Sequence, residues 1–145
     1  MNPTKLFDSS VAHAADYRWA GDRDKGARWK AKVRAYFLSR HQGMKKLLDF
    51  AERKDYEAIT ETELMKESQN WMLDRNDALS MSRQLWGFLS QCLTESAWDY
   101  FHGADELNGA RAWRRLVLVI EEGRPRLLEE LRDKVRHPES IKDLN

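Results

Sequence analysis

Apolar residues along this chain recur with a helical period. The clearest set is Met81, Leu85, Phe88, Leu89 and Cys92, spaced i, i+4, i+7, i+8 and i+11, which lines one face of an α-helix. Trp113, Leu116, Val117 and Ile120 repeat the pattern further on. Between the two sets, Thr94 is placed to cap a short helix and Gly103 to end it, while Asn108 is placed to cap the next. Three helices with short connections over Ala78 to Ile120 predict a compact helical unit around which the rest is organised.

Upstream, Trp29, Val33, Tyr36 and Phe37 share a helical face over 27–39, and Lys30, Lys32 and Arg34 fall mostly off it. Gly43 offers a break, and Met44, Leu47, Leu48 and Ala51 predict the next helix. Thr60 and Glu63 have the spacing of a capping box and open a helix through Leu64 and Trp71. Downstream, Pro125 fits the first turn of a helix carrying Leu127, Leu128, Leu131 and Val135, which stops before Pro138. Residues 1–26 hold Pro3, Gly21, Gly26 and scattered charge, and read as a partly irregular lead-in. Its Phe7, Tyr17 and Trp19 are available to dock on the body. No run alternates with the period of a strand. The expected fold class is all-α, a compact bundle of about five to seven helices.

Composition sharpens this in two places. Formal net charge is only +1, but residues 1–46 hold 11 Lys/Arg against 4 Asp/Glu, and residues 47–109 hold 5 against 13. A basic end and an acidic middle suit contacts between copies of the chain, or contact of the basic end with phosphate. They read equally well as solvated faces of one domain. The single cysteine, Cys92, excludes an internal disulfide and any multi-cysteine zinc site, and its place on the apolar face makes it a small core residue. The first residues lack the apolar stretch of a signal peptide, and no window is long and apolar enough to span a membrane.

Chemistry-bearing patterns are sparse. Glu95, Asp99 and His102 share a helical face at i, i+4 and i+7, half of a metal site without a further ligand, and read as a solvated face. No nucleophile elbow, phosphate-binding glycine loop or zinc-protease helix is present. No enzyme, cofactor, metal or small-molecule substrate is expected. The segment from Arg23 to Lys46 interleaves aromatics with cations, as nucleic-acid binders do. Arg28, Lys30, Lys32, Arg34, Arg40, Lys45 and Lys46 are the candidate contacts, although the aromatics among them sit at core spacing.

The order of several elements resembles the capsid-like Gag region of copia-type LTR retrotransposons. A basic-aromatic helix (W-K-A-K-V-R-A-Y-F-L, Trp29 to Leu38) is followed by Trp71, which leads into D-R-N-D-A-L-S-M-S-R-Q-L-W-G-F-L. Then come an A-W-x-x-L element at Ala112 to Leu116 and a charged helix, R-L-L-E-E-L-R-D-K-V, at Arg126 to Val135. The match covers about residues 20–145. The resemblance implies a retroviral-capsid-like, all-helical structural domain over 27–145, with a second capsid domain expected beyond Asn145. It implies a homo-oligomer, cytoplasmic and in virus-like particles, that packages the element's RNA. A domesticated cellular derivative fits as well. Neither a zinc knuckle nor a protease motif is present. Trp86 and Trp98, with Arg114 and Arg115, are the candidate self-association residues. The alternative is a helical nucleic-acid-binding or adaptor module that acts as a monomer.

Overall fold

A computed structural model describes residues 6–53 and 59–122. Within them the chain forms seven α-helices: α1 (Ser9–Ala12), α2 (Arg23–Arg40), α3 (Gly43–Arg53), α4 (Glu61–Ser68), α5 (Arg75–Cys92), α6 (Glu95–His102) and α7 (Gly109–Glu122). Single 3₁₀ turns lie at Ala15–Tyr17 and Gln69–Trp71. The all-α bundle is the one the periodicity predicts. The helix expected over 125–137 lies outside the described residues, as do the residues next to any further capsid domain.

The two long apolar stripes sit at the centre. α7 packs against α2, α3, α5 and α6, while α5 also meets α1, α3 and α4. Met81, Leu85, Phe88, Leu89 and Cys92 are fully buried on α5, and Trp113 and Leu116 on α7. Removing such side chains from water is the main drive for the bundle, about 1.5–3 kcal/mol for each large one. Met44, Leu47, Leu48 and Ala51 of α3 and Trp29, Val33 and Phe37 of α2 close the core from the other side.

Local chemistry sets the helix ends. At α4 the Thr60 side chain accepts from the Glu63 amide at 3.1 Å, and the Glu63 carboxylate accepts from the Thr60 amide at 3.1 Å. This reciprocal pair satisfies two amides that have no partner inside the helix. Asn108 caps α7 through Oδ1, which accepts from the Arg111 amide, and its Nδ2 donates to the Ile59 carbonyl at 2.7 Å. Thr94 stands at the N-terminus of α6 but makes no side-chain capping bond. Gly103 ends that helix in ordinary right-handed geometry, at φ −73°. Its missing Cβ serves packing instead: a Cβ there would lie 2.7 Å from Cζ of Arg115.

The segment before α2 is more built than the sequence suggests. α2 begins at Arg23 rather than near Ala27. Leu6 and Ala12 are fully buried, and Trp19 is nearly so. The Trp19 amide donates to the Cys92 carbonyl, the Thr94 amide to the Trp19 carbonyl and the Ala97 amide to the Ala20 carbonyl. Trp19 and Leu93 thereby form an isolated parallel bridge that ties the segment to the α5–α6 corner. Gly21 then turns the chain at φ +104°, a conformation that L side chains rarely adopt. The indole of Trp19 stacks on Trp29, and Trp29 leans on Trp113.

Candidate interaction surface

Two surface features stand out, one aromatic with an acidic edge and one basic. The first grows out of α6. Ala97 and Phe101, at i and i+4, are buried against the body. Trp98, one position on from Ala97, therefore sits at the edge of the buried stripe and remains 37% exposed. Its ring centroid is 5.1 Å from Phe101 and 5.8 Å from His102, the latter nearly parallel at 14°. Trp86 approaches Phe101 from α5, with centroids 5.3 Å apart. The two tryptophans singled out in the sequence thus converge on one buried phenylalanine. With His102, Ala104 and Glu106 they line an open depression of about 230 Å³. Such aromatic pairs add about 0.5–1.5 kcal/mol each beyond their burial and hold the rings in place.

Leu107 follows Glu106 directly. It is 45% exposed and holds φ +66°. A branched residue in the left-handed region costs about 1–2 kcal/mol, and here that conformation leaves an apolar side chain partly in water. Asp99, within α6, and Asp105 and Glu106, in the connection to α7, are exposed. Asp105 accepts a long ion pair from Arg111 at 3.5 Å.

The two arginines paired with these tryptophans in the sequence reading are placed differently. Arg114 is 4% exposed, inside the chain. It lies on the same helical row as Ala110 and Val117, so the turn of α7 carries it inward. Arg115 is half-buried behind α6 and donates from Nε to the Tyr100 carbonyl at 2.7 Å. Burial, with the neighbouring charge of Arg111, lowers its pKa. Arg114 is thereby unsuited to a surface contact, and Arg115 braces the α6 end from within.

The basic segment is largely consumed inside the molecule. Arg34 donates to Asp49 at 2.6 Å and to Glu52 at 2.8 Å. Burial acts to lower the Arg34 pKa, but the hydrogen bonds and charges of Asp49 and Glu52 outweigh it and raise it. Burial acts to raise the Asp49 pKa, and bonds from Lys45 and Arg34 outweigh that and lower it. Lys30 bridges Glu52 and Glu121. Lys32 meets Asp16 at 3.5 Å, Arg40 meets Asp8 at 3.6 Å and Lys45 meets Asp49 at 2.8 Å. The basic end and the acidic middle of the sequence therefore neutralise each other in part within one chain. Lys46 and Arg28 remain exposed.

Arg28 belongs to the second feature, an open depression of about 340 Å³ between the 3₁₀ turn and the first turns of α2. Arg18, Lys25, Arg28 and Lys32 stand around it over the edges of Trp19 and Trp29, together with the Asp16 carboxylate that Lys32 meets. Arg18 was not singled out in the sequence, where it stands apart from the basic run. Docking of the lead-in brings it to the α2 cations. Arg18 and Arg28 carry no ion pair among the described residues, while Lys25 reaches Asp22 only at 3.7 Å, on an exposed surface.

Among the described residues no group of three His, Cys, Asp or Glu side chains is arranged to hold a metal, Glu95, Asp99 and His102 included. Burial pushes the Cys92 thiol up to about 12, which suits a core residue and not a nucleophile. No helix among the described residues is long and apolar enough to cross a membrane. No protein-family model, curated protein or solved structure matches the chain.

Proposed function

We propose that this chain is a structural, self-associating helical domain of the Gag capsid type, the reading that its resemblance to copia-type retrotransposon Gag implies. The observation that carries it is the convergence of Trp86 and exposed Trp98 on Phe101, beside a protruding Leu107. Rigid, partly exposed tryptophans next to a leucine in a strained conformation suit a repeated protein contact. The body behind them is a close-packed bundle, as a shell subunit requires. In this reading the chain acts by position and not by catalysis, takes no cofactor, and joins a shell around the element's RNA.

A nucleic-acid-binding module is the second reading, and the basic depression around Arg18 and Arg28 favours it. It is the weaker one because Lys30, Lys32, Arg34, Arg40 and Lys45 spend their charge on intramolecular pairs. Light scattering across a concentration series, with negative-stain microscopy at low and high salt, separates the two. Concentration-dependent growth into rings, sheets or particles is the expected result. A strict monomer at every concentration that still binds RNA, with a steep salt dependence, favours the module.

A further inference from the structure

We propose that copies of this chain join head to tail, with Arg18 and Arg28 of one copy seated on the Trp98–Glu106 face of the next. The inference rests on the self-association reading above and assigns its contact. The two faces complement each other in charge and chemistry. The acceptor face combines an open indole with the Glu106 carboxylate that lines the same depression, Asp99 is exposed at the next position of α6 after Trp98, and no lysine or arginine lines the depression. The donor face presents two exposed guanidinium groups that have no partner carboxylate among the described residues. A guanidinium is the group that both stacks on an indole and bonds a carboxylate in the same pose.

Trp98 is already held by Phe101 on one side and by the parallel ring of His102 on another. Little side-chain freedom is left to lose when a partner docks, which favours binding. Leu107, the residue after Glu106, is 45% exposed and offers an apolar element that charge alone lacks.

The two faces are made of different residues, so the contact is heterologous. After pairing, the dimer as a whole keeps one unused face of each kind. Assembly therefore continues past the dimer into a ring where the rotation closes and into a filament where it does not. This differs from a two-fold contact, which would stop at two copies.

Charge reversal tests the assignment. One variant carries Asp99→Lys and Glu106→Lys, the other Arg18→Glu and Arg28→Glu. All four positions are exposed, and far-UV circular dichroism checks that both variants fold. Sedimentation velocity of each full-length variant alone is expected to show association weaker by about tenfold or more. An equimolar mixture is expected to recover assembly, because each variant then meets an oppositely charged face in both directions. Trp98→Ala is expected to weaken association without the salt dependence of the charge variants.

If both charge variants associate as the unaltered chain does, the head-to-tail contact is overturned while self-association stands. If they weaken alone and the mixture does not recover, the contact is likewise overturned. If the unaltered chain stays monomeric at all concentrations, the self-association reading falls and the inference with it. If Arg18→Glu with Arg28→Glu abolishes binding to a single-stranded RNA but leaves association untouched, the basic face belongs to a polyanion, and the contact between copies is overturned.

Discussion

Replacing Gly109 by alanine and replacing Gly87 by alanine should move stability in opposite directions, although the substitution is the same. Both glycines lie in helices, and alanine is the better helix former by about 1 kcal/mol. At Gly87, in the middle of α5, an added Cβ finds its nearest neighbour at Cζ of Phe7, 4.0 Å away. That is ordinary contact, so the helix preference stands, and Gly87→Ala should stabilise by about 0.5–1 kcal/mol. At Gly109 the first turn of α7 lies directly on α5. A Cβ would overlap the Ser82 carbonyl oxygen and sit 2.8 Å from the Trp86 amide nitrogen and 3.0 Å from Cβ of Leu85. These atoms are backbone or the root of a side chain, and none can swing away. The helices must separate instead, at the point where the Ala110 amide also donates to buried Ser82 at 3.1 Å. Overpacking costs about 1–3 kcal/mol, and rigid obstacles place this case high in that range. Less a reduced helix gain at a first-turn position, the net loss should be about 2 kcal/mol. For a chain of this size Tm should fall by about 4–8 °C for Gly109→Ala and rise by about 1–4 °C for Gly87→Ala. Thermal unfolding followed by circular dichroism reads both. A Tm for Gly109→Ala at or above that of the unaltered chain refutes the close approach of α5 and α7. It would also remove the geometry that sets Trp86 beside Phe101.

Glu52 accepts from Trp113 Nε1 at 2.9 Å and from Arg34 at 2.8 Å, so Glu52→Leu should cost about 1–3 kcal/mol by leaving the indole without its acceptor. Glu52→Gln, which keeps an oxygen there, should cost less; urea unfolding compares the two. The Cys92 thiol should resist an aromatic disulfide reagent in the native state and react promptly in denaturant. Its folded pKa is raised from 9.0 to about 12, so the stability it contributes is intact below pH 9 and is lost as pH climbs toward 12, at up to about 1.4 kcal/mol per pH unit. Cys92→Ala, though less stable overall, should flatten that part of the pH profile. Thr60→Ala should destabilise by about 1 kcal/mol through loss of the capping box, and the loss should show as a lower urea midpoint with an unchanged slope.

Much of the bundle was legible because its signals are local. Apolar residues at i, i+3 and i+4 named the buried faces of α3, α5 and α7, and Thr60 with Glu63 marked the start of α4. Trp86, one position off the α5 stripe, is half-buried and packs against the core rather than standing clear of it. What escaped depends on partners far away in the chain. Gly26 reads as a breaker, yet it lies inside α2, where its bare Cα admits Ile120 Cγ1 at 2.9 Å from an ideal Cβ. The carboxylates that occupy Lys30 and Arg34 stand in α3 and α7, so the basic run looked more available than it is. Arg114 was read by its charge, while its row on α7 carries it inward. The basic depression had no linear signal, since Arg18 joins it only when Trp19 pairs with the α5–α6 corner. Resemblance to Gag suggested a role, and it did not point to either surface.

The stack of Trp19, Trp29 and Trp113 has a consequence for a chain leaving the ribosome. Two of its rings are made early, and the third lies on the last described helix. Trp19 also needs the carbonyl of Cys92 before its backbone is satisfied. Until α7 has emerged, the nascent chain therefore carries two indoles and the apolar stripe of α5 without the cover that α7 gives them, in a sequence proposed to recognise its own kind. On a polysome many such chains lie close together. The order in which this protein is synthesised thus sets a window in which neighbours meet through their unfinished cores, and the window closes only when the last tryptophan arrives.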